Sequence, residues 1–116
     1  MNSLGNEKNR WIKTSERLLR EKQSLLGDMI LSTAFVTYMG PFEGSYREKI
    51  MLEEWRQIIQ REGILIGETF SLRDTIGTSG PIQHWQIRGL PSDNVSVENM
   101  IIIDETRHKW PLIIDP

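Results

Sequence analysis

Cysteine is absent from the 116 residues, which removes disulfides, thiolate nucleophiles and every sulfur-based zinc or iron–sulfur site. The lack fits a reducing compartment. Long apolar runs are missing as well. The longest, Met100–Ile103 and Ile64–Ile66, are a few residues each, so no segment is expected to span a bilayer. Asn6 to Lys13 is polar and charged where the apolar stretch of a signal peptide would lie, so none is expected. Neither sign of charge dominates: 14 basic side chains face 16 acidic ones, a net charge of −2. Such a balance carries no electrostatic footprint for nucleic acid. What is present is 38% apolar residues in a length that suits one small domain, able to bury roughly two-thirds of its unfolded surface.

The charge is divided unevenly. Residues 1–26 carry six basic and three acidic groups, and residues 27–116 carry eight and thirteen. A balance of +3 against −5 marks the N-terminal stretch as a separate element, though +3 is too weak for a polyanion-binding arm.

That stretch, about Asn6 to Leu26, has a seven-residue repeat. Trp11, Leu18 and Leu25 form one column, and Ile12, Leu19 and Leu26 its neighbour. Adjacent apolar pairs every seven residues make a narrow stripe, which suits either a partner helix or the core face of an ordinary amphipathic helix. Glu16–Arg20 and Arg17–Glu21 stand at i,i+4 on the charged remainder, each worth roughly 0.2–0.5 kcal/mol. Gly27 is expected to end or bend this helix, with Asp28 capping the next helical stretch. Met29 to Met39 is apolar nearly all round, which predicts burial on every side. Gly40-Pro41 should stop it, glycine in the left-handed conformation and proline unable to continue. An amphipathic helix is predicted from about Ser45 to Glu62, with Tyr46, Ile50, Met51, Trp55, Ile58 and Ile59 on its apolar side and Gly63 closing it.

Shorter elements come after Gly63. Ser71 and Asp74 have capping-box spacing and predict a brief helix to about Ile76. Pro81 suits a first helical position, opening a turn or two with Ile82, Trp85 and Ile87 that Gly89 ends. A further element starts near Ser96 and runs through Ile103, and Trp110–Ile114 reads as a short buried strand. The fold class is therefore mainly α, with a long coiled-coil-type first helix, then helical segments and one short C-terminal strand. A lone strand needs partners on its edges, and the first helix shows a stripe without a mate. Both ends suggest a fragment of something larger.

Catalytic patterns are scarce. There is no phosphate-cradling G-x-x-x-x-G-K-[ST], no G-x-G-x-x-G and no G-x-S-x-G elbow. His84 and His108 stand 24 positions apart outside any HExxH-like setting, and Glu53-Glu54 and Asp104-Glu105 are adjacent carboxylates that point apart. Trp11, Trp55, Trp85 and Trp110 lie in separate elements, each on the apolar side, which favours core packing over stacking on nucleic acid.

The order of the signals carries a resemblance. Asn9-Arg10-Trp11 on the heptad helix precedes Leu26-Gly27-Asp28, Leu31-Ser32-Thr33-Ala34-Phe35, Tyr38-Met39-Gly40-Pro41-Phe42 and Tyr46-Arg47. Trp55, Phe70-Ser71-Leu72 and Trp85 follow. Then come Gly89-Leu90-Pro91-Ser92-Asp93, Ser96-Val97-Glu98-Asn99 and Trp110-Pro111-Leu112-Ile113-Ile114-Asp115-Pro116. Together they resemble dynein heavy chains, over essentially the whole chain, where the returning helix of the microtubule-binding stalk re-enters the motor ring and the fifth AAA+ module begins. The ending resembles axonemal heavy chains more than cytoplasmic ones.

The resemblance implies three parts. Residues 1–26 are the ring-proximal root of a coiled-coil stalk helix, with Trp11, Ile12, Leu18, Leu19, Leu25 and Leu26 as its seam. Residues 27–63 are a helical hairpin linking stalk to ring. Residues 64–116 are the N-terminal part of a nucleotide-free AAA+ module, whose first core strand, Trp110–Ile114, stops before the phosphate-loop position. Gly27, Asp28, Gly40, Pro41, Gly89, Leu90, Pro91, Asp93, Glu98, Asn99, Trp110, Pro111, Asp115 and Pro116 are the matching structural motifs. The implied partners are the outgoing stalk helix, the remaining modules, and microtubules through the stalk tip, in a cytoskeletal, axonemal setting. No nucleic acid and no membrane are implied. The family is an ATP-driven minus-end motor whose stalk helices shift register, with ATP and Mg in other modules and no cofactor in this segment. Two other readings stay open on the residues alone. One is an independent helical protein that dimerises or binds a partner through its first helix. The other is a small enzyme using His84 or His108.

Overall fold

The computed structural model describes residues 3–114, and for residues 3 and 52 the backbone only. Helix α1 is a single rod, Ser3–Tyr38. A second rod comes after the turn that ends it, made of α2 (Gly44–Glu48), a π-helical segment (Lys49–Trp55) and α3 (Arg56–Arg61). Three short helices complete the chain: α4 (Leu72–Thr75), α5 (Ser79–Ile87) and α6 (Asn94–Glu105). At 1.5 Å per residue α1 is about 54 Å long, which accounts for most of the 65 Å greatest extent.

The core sits at the C-terminal half of α1. Gly27, Leu31 and Phe35 are buried at successive four-residue steps, so one stripe of the helix faces inward, and Met39, just past its end, is buried in line with it. Met51, Ile59, Leu72, Ile82, Val97 and Ile101 close over it, with α1 packing on α4, α6 and the π-helical segment. Val97 and Ile101 again stand four apart. Phe70, from the loop before α4, brings its ring centroid to 6.5 Å from that of Phe35.

Several expectations are corrected by the fold. Gly27 does not end α1, because the helix runs on through it for eleven more residues to Tyr38. Its side faces the Leu65 carbonyl and lies close to Ile66, so the glycine serves close approach of another segment. Met29 to Met39 is not buried on all sides: Met29, Ile30 and Tyr38 are exposed, because core elements cover only one face of α1. Gly40 is not left-handed; positive φ occurs at Gly63 and Gly89, which do close their helices as expected. At Gly89 the closure is a pair of bonds, Gly89 N to Gln86 O and Leu90 N to Trp85 O. Pro81 stands third in α5, not first. Helix α6 begins two residues earlier than Ser96, because the Asp93 carboxylate accepts from Ser96 N at 2.9 Å and caps it. Ser71 caps α4 as expected, accepting from Asp74 N at 3.3 Å.

Trp110–Ile114 forms no strand, and among the described residues there is none. These residues are exposed coil, since a strand needs an edge to pair with and the described helices offer none. Nor do the tryptophans form the core. Trp11 and Trp110 are exposed, and Trp55 and Trp85 are half-buried at its margin.

Candidate functional site

Three features of α1 and its surroundings make up the site. The first is the seam. Trp11, Ile12, Leu18, Leu19, Leu25 and Leu26 are 46–76% exposed, and from residue 4 to residue 26 no position of the helix is buried. The stripe is present in the geometry and unpaired among the described residues. Arg17 and Glu21 form the expected i,i+4 ion pair at 3.4 Å, both largely exposed.

The second is the point where α1 meets the folded body. Gly27 is the first buried residue of the helix. The Asp28 carboxylate does not cap a helix; it accepts from the Gly67 backbone N–H at 3.0 Å, across 39 positions of chain. Arg56 of α3 donates from Nη2 to the Gly67 carbonyl at 2.6 Å, and from Nη1 to the Glu68 carbonyl. The Leu65–Glu68 loop is therefore held from both sides, by α1 through its amide and by α3 through its carbonyls.

The third is a buried arginine. Arg47, in α2, is 2% exposed, and each of its three side-chain nitrogens is bonded within the protein. Nε donates to Phe42 O at 2.8 Å, and Nη2 to Gly40 O at 3.2 Å and Asn99 Oδ1 at 2.6 Å. Nη1 meets Glu98 Oε2 at 3.0 Å. The guanidinium carbon also lies 5.7 Å from the centre of the Phe35 ring. A planar donor fork can serve several acceptors in one plane, which an ammonium cannot. Burial pushes the Glu98 carboxyl above the usual glutamate range, with the Arg47 hydrogen bond and charge pulling it back in part. No buried side-chain nitrogen or oxygen among the described residues lacks a partner.

The expected motif residues thus fall into groups. Gly40, Glu98 and Asn99 converge on Arg47. Gly27 and Asp28 converge on the Leu65–Glu68 loop. Gly89, Leu90 and Asp93 shape the turn into α6, and Pro41 and Pro91 are exposed beside these clusters. Trp110 and Pro111 stand apart in exposed coil, and Asp115 and Pro116 lie outside the described residues. Arg47 belongs to the pattern that carries the resemblance and Arg56 does not, and nothing in the sequence gives either of them a role. A single arginine in an amphipathic helix carries no local sign of burial. His84 and His108 are both exposed, and among the described residues no group of three or more metal-ligating side chains is brought together.

Comparison with known proteins divides the chain in two. Residues 1–59 match the family described as the microtubule-binding stalk of dynein motor, and residues 83–116 match the ATP-binding dynein motor region. Mouse dynein axonemal heavy chain 3 is 39% identical over all 116 residues, and mouse dynein axonemal heavy chain 5 is 33% identical over the same span. The dynein-1-alpha heavy chain of the flagellar inner arm I1 complex of Chlamydomonas reinhardtii is 32% identical over 97% of the chain. The chain spans 2–3% of the length of these relatives. A stalk match joined to a motor-region match defines the class as a stalk-bearing motor protein. The chain belongs to the dynein heavy-chain family.

Proposed function

We propose that this chain is the mechanical joint between the stalk and the AAA+ ring of a dynein heavy chain. The observation that carries the reading is the two-part character of α1. One continuous helix exposes an apolar seam from Trp11 to Leu26 and then sinks a stripe of Gly27, Leu31 and Phe35 into a packed body. A rigid rod anchored at one end and unpaired at the other transmits displacement along its axis. Residues 1–26 are the stalk root, 27–63 the linking hairpin, and 64–116 the start of a module that holds no nucleotide itself.

The seam residues Trp11, Ile12, Leu18, Leu19, Leu25 and Leu26 would dock on the outgoing stalk helix. Heptad-spaced side chains can re-dock in equivalent holes, so the seam can hold more than one register. ATP and Mg bind in other modules of the heavy chain, whose motion is directed toward microtubule minus ends. Microtubules are reached through the stalk tip, in the axoneme, in keeping with the axonemal relatives.

The test is Leu18→Asp with Leu19→Asp in the heavy chain that carries this segment. Basal ATPase should persist while microtubule stimulation is lost. Unchanged stimulation would overturn the reading.

A further inference from the structure

We infer that Lys8 and Lys22 are polar pins in the middle of the seam, and that the helix which docks there brings a carboxylate to each. The occupant is the outgoing stalk helix of the same heavy chain, so the inference rests on the stalk–ring reading and adds the chemistry that selects the partner. At about 100° per residue, Lys8, Ser15 and Lys22 run down the midline of the seam. They lie between the column Trp11, Leu18 and Leu25 and the column Ile12, Leu19 and Leu26.

The surroundings of each lysine leave its charge unanswered on α1. Positions three and four away are a residue's neighbours on a helix. For Lys22 these are Leu18, Leu19, Leu25 and Leu26, all four more than half exposed, and for Lys8 they are Leu4, Gly5, Trp11 and Ile12. No carboxylate stands at any of them, and neither lysine is in an ion pair among the described residues. Glu21, beside Lys22, is turned about 100° away and is paired with Arg17 at 3.4 Å. A helix that covers the leucines takes both ammonium groups out of water, and a charge so placed needs an opposite one. A second copy of the chain is a poor occupant. Paired in parallel, Lys22 meets Lys22; paired antiparallel about Ser15, Lys8 meets Lys22. A lysine within a seam selects partner and register in this way, at a cost in stability. The two lysines stand 14 positions apart, so the carboxylates opposite them should also be 14 positions apart, about 21 Å along the partner.

Carbodiimide coupling joins a lysine amine to a carboxylate only where the two touch, and it tests this in the full heavy chain, with and without ATP and microtubules. Mass spectrometry should find Lys22 linked to an aspartate or glutamate of the outgoing stalk helix, and Lys8 linked to a second one 14 positions from the first. Lys22→Arg keeps the charge and should keep microtubule stimulation of the ATPase while losing the link, because a guanidinium does not couple. Lys22→Glu sets carboxylate against carboxylate and should lower stimulation about tenfold. Four outcomes overturn the inference: no link from Lys22 to another helix under any of these conditions; a link that runs instead to a glutamate within residues 1–26; linked carboxylates with a different spacing; or stimulation in Lys22→Glu equal to wild type. Leu18→Asp with Leu19→Asp, run in parallel, separates the two ideas. If that pair leaves stimulation intact the joint reading fails, and if it abolishes stimulation while Lys22 links to no carboxylate, only the pins fail.

Discussion

Arg47 and Glu98, 51 positions apart, meet through Nη1 and Oε2 at 3.0 Å, and this pair bonds the stalk-matched region to the motor-matched region. The same guanidinium holds the carbonyls of Gly40 and Phe42, in the turn after α1. One side chain therefore fixes the turn after the long helix against the first turns of α6.

Arg47→Ala should destabilise the folded body by about 3 kcal/mol, because it leaves a half-buried carboxylate and two carbonyls without their donor. Arg47→Lys should recover little of this, since one ammonium cannot span acceptors spread around a planar fork. Urea unfolding at neutral pH measures both. A loss under about 1 kcal/mol would show that water replaces the bonds.

The pH dependence has a definite sign. Burial raises the Glu98 carboxyl above its ordinary value, against the opposing pull of Arg47. A raised folded-state value means that Glu98 contributes stability at acid pH which fades as pH climbs through the shifted value. Glu98→Gln cannot titrate, so the advantage of wild type over it should shrink as pH rises from about 4.5 toward neutrality. Asp93 behaves oppositely. Its bonds from Ser96 lower its value, so its contribution is present above the ordinary aspartate range and is lost as pH falls through the lowered value. Melting temperatures of wild type, Glu98→Gln and Asp93→Asn, taken from below the ordinary aspartate value of about 3.9 up to neutrality, separate the two effects.

Single-tryptophan variants report the shape of the chain directly. Trp11 is 76% and Trp110 97% exposed, while Trp55 and Trp85 are half-buried. Iodide should quench the first two severalfold more than the second two. Protection of Trp11 alone, rising with protein concentration, would show the seam closing on a second copy of the chain.

How much of this was legible in the sequence depends on the range of the interaction. The heptad columns gave the exposed apolar stripe, because periodicity within one helix is a local property. Gly63, Gly89 and Ser71 announced helix ends through chemistry that acts within a few residues. Gly27 was ambiguous, since a glycine in a helical pattern signals either a stop or a close approach. What decides it is Leu65, 38 positions further on. Arg47 and Arg56 were illegible for the same reason: their acceptors are carbonyls and side chains placed by other elements. Trp110–Ile114 had the composition of a strand, yet pairing is decided by neighbouring edges that composition does not supply.

The two glycines of α1 give a paired test of why the helix carries them. In a helix interior Gly→Ala ordinarily gains up to about 1 kcal/mol. Gly5 has nothing within 4 Å of a built Cβ, so Gly5→Ala should raise helicity by circular dichroism and leave the unfolding midpoint unchanged or higher. At Gly27 the same methyl group meets the Leu65 carbonyl and the Ile66 backbone, neither of which can rotate away. Gly27→Ala should therefore cost up to about 2 kcal/mol net, an overpacking penalty of about 1–3 kcal/mol less the propensity gain. Hydrogen exchange at the Gly67 amide should quicken in Gly27→Ala and not in Gly5→Ala, because only the former pushes the loop off the Asp28 carboxylate. Equal and favourable effects of the two substitutions would mean that α1 passes the loop without contact.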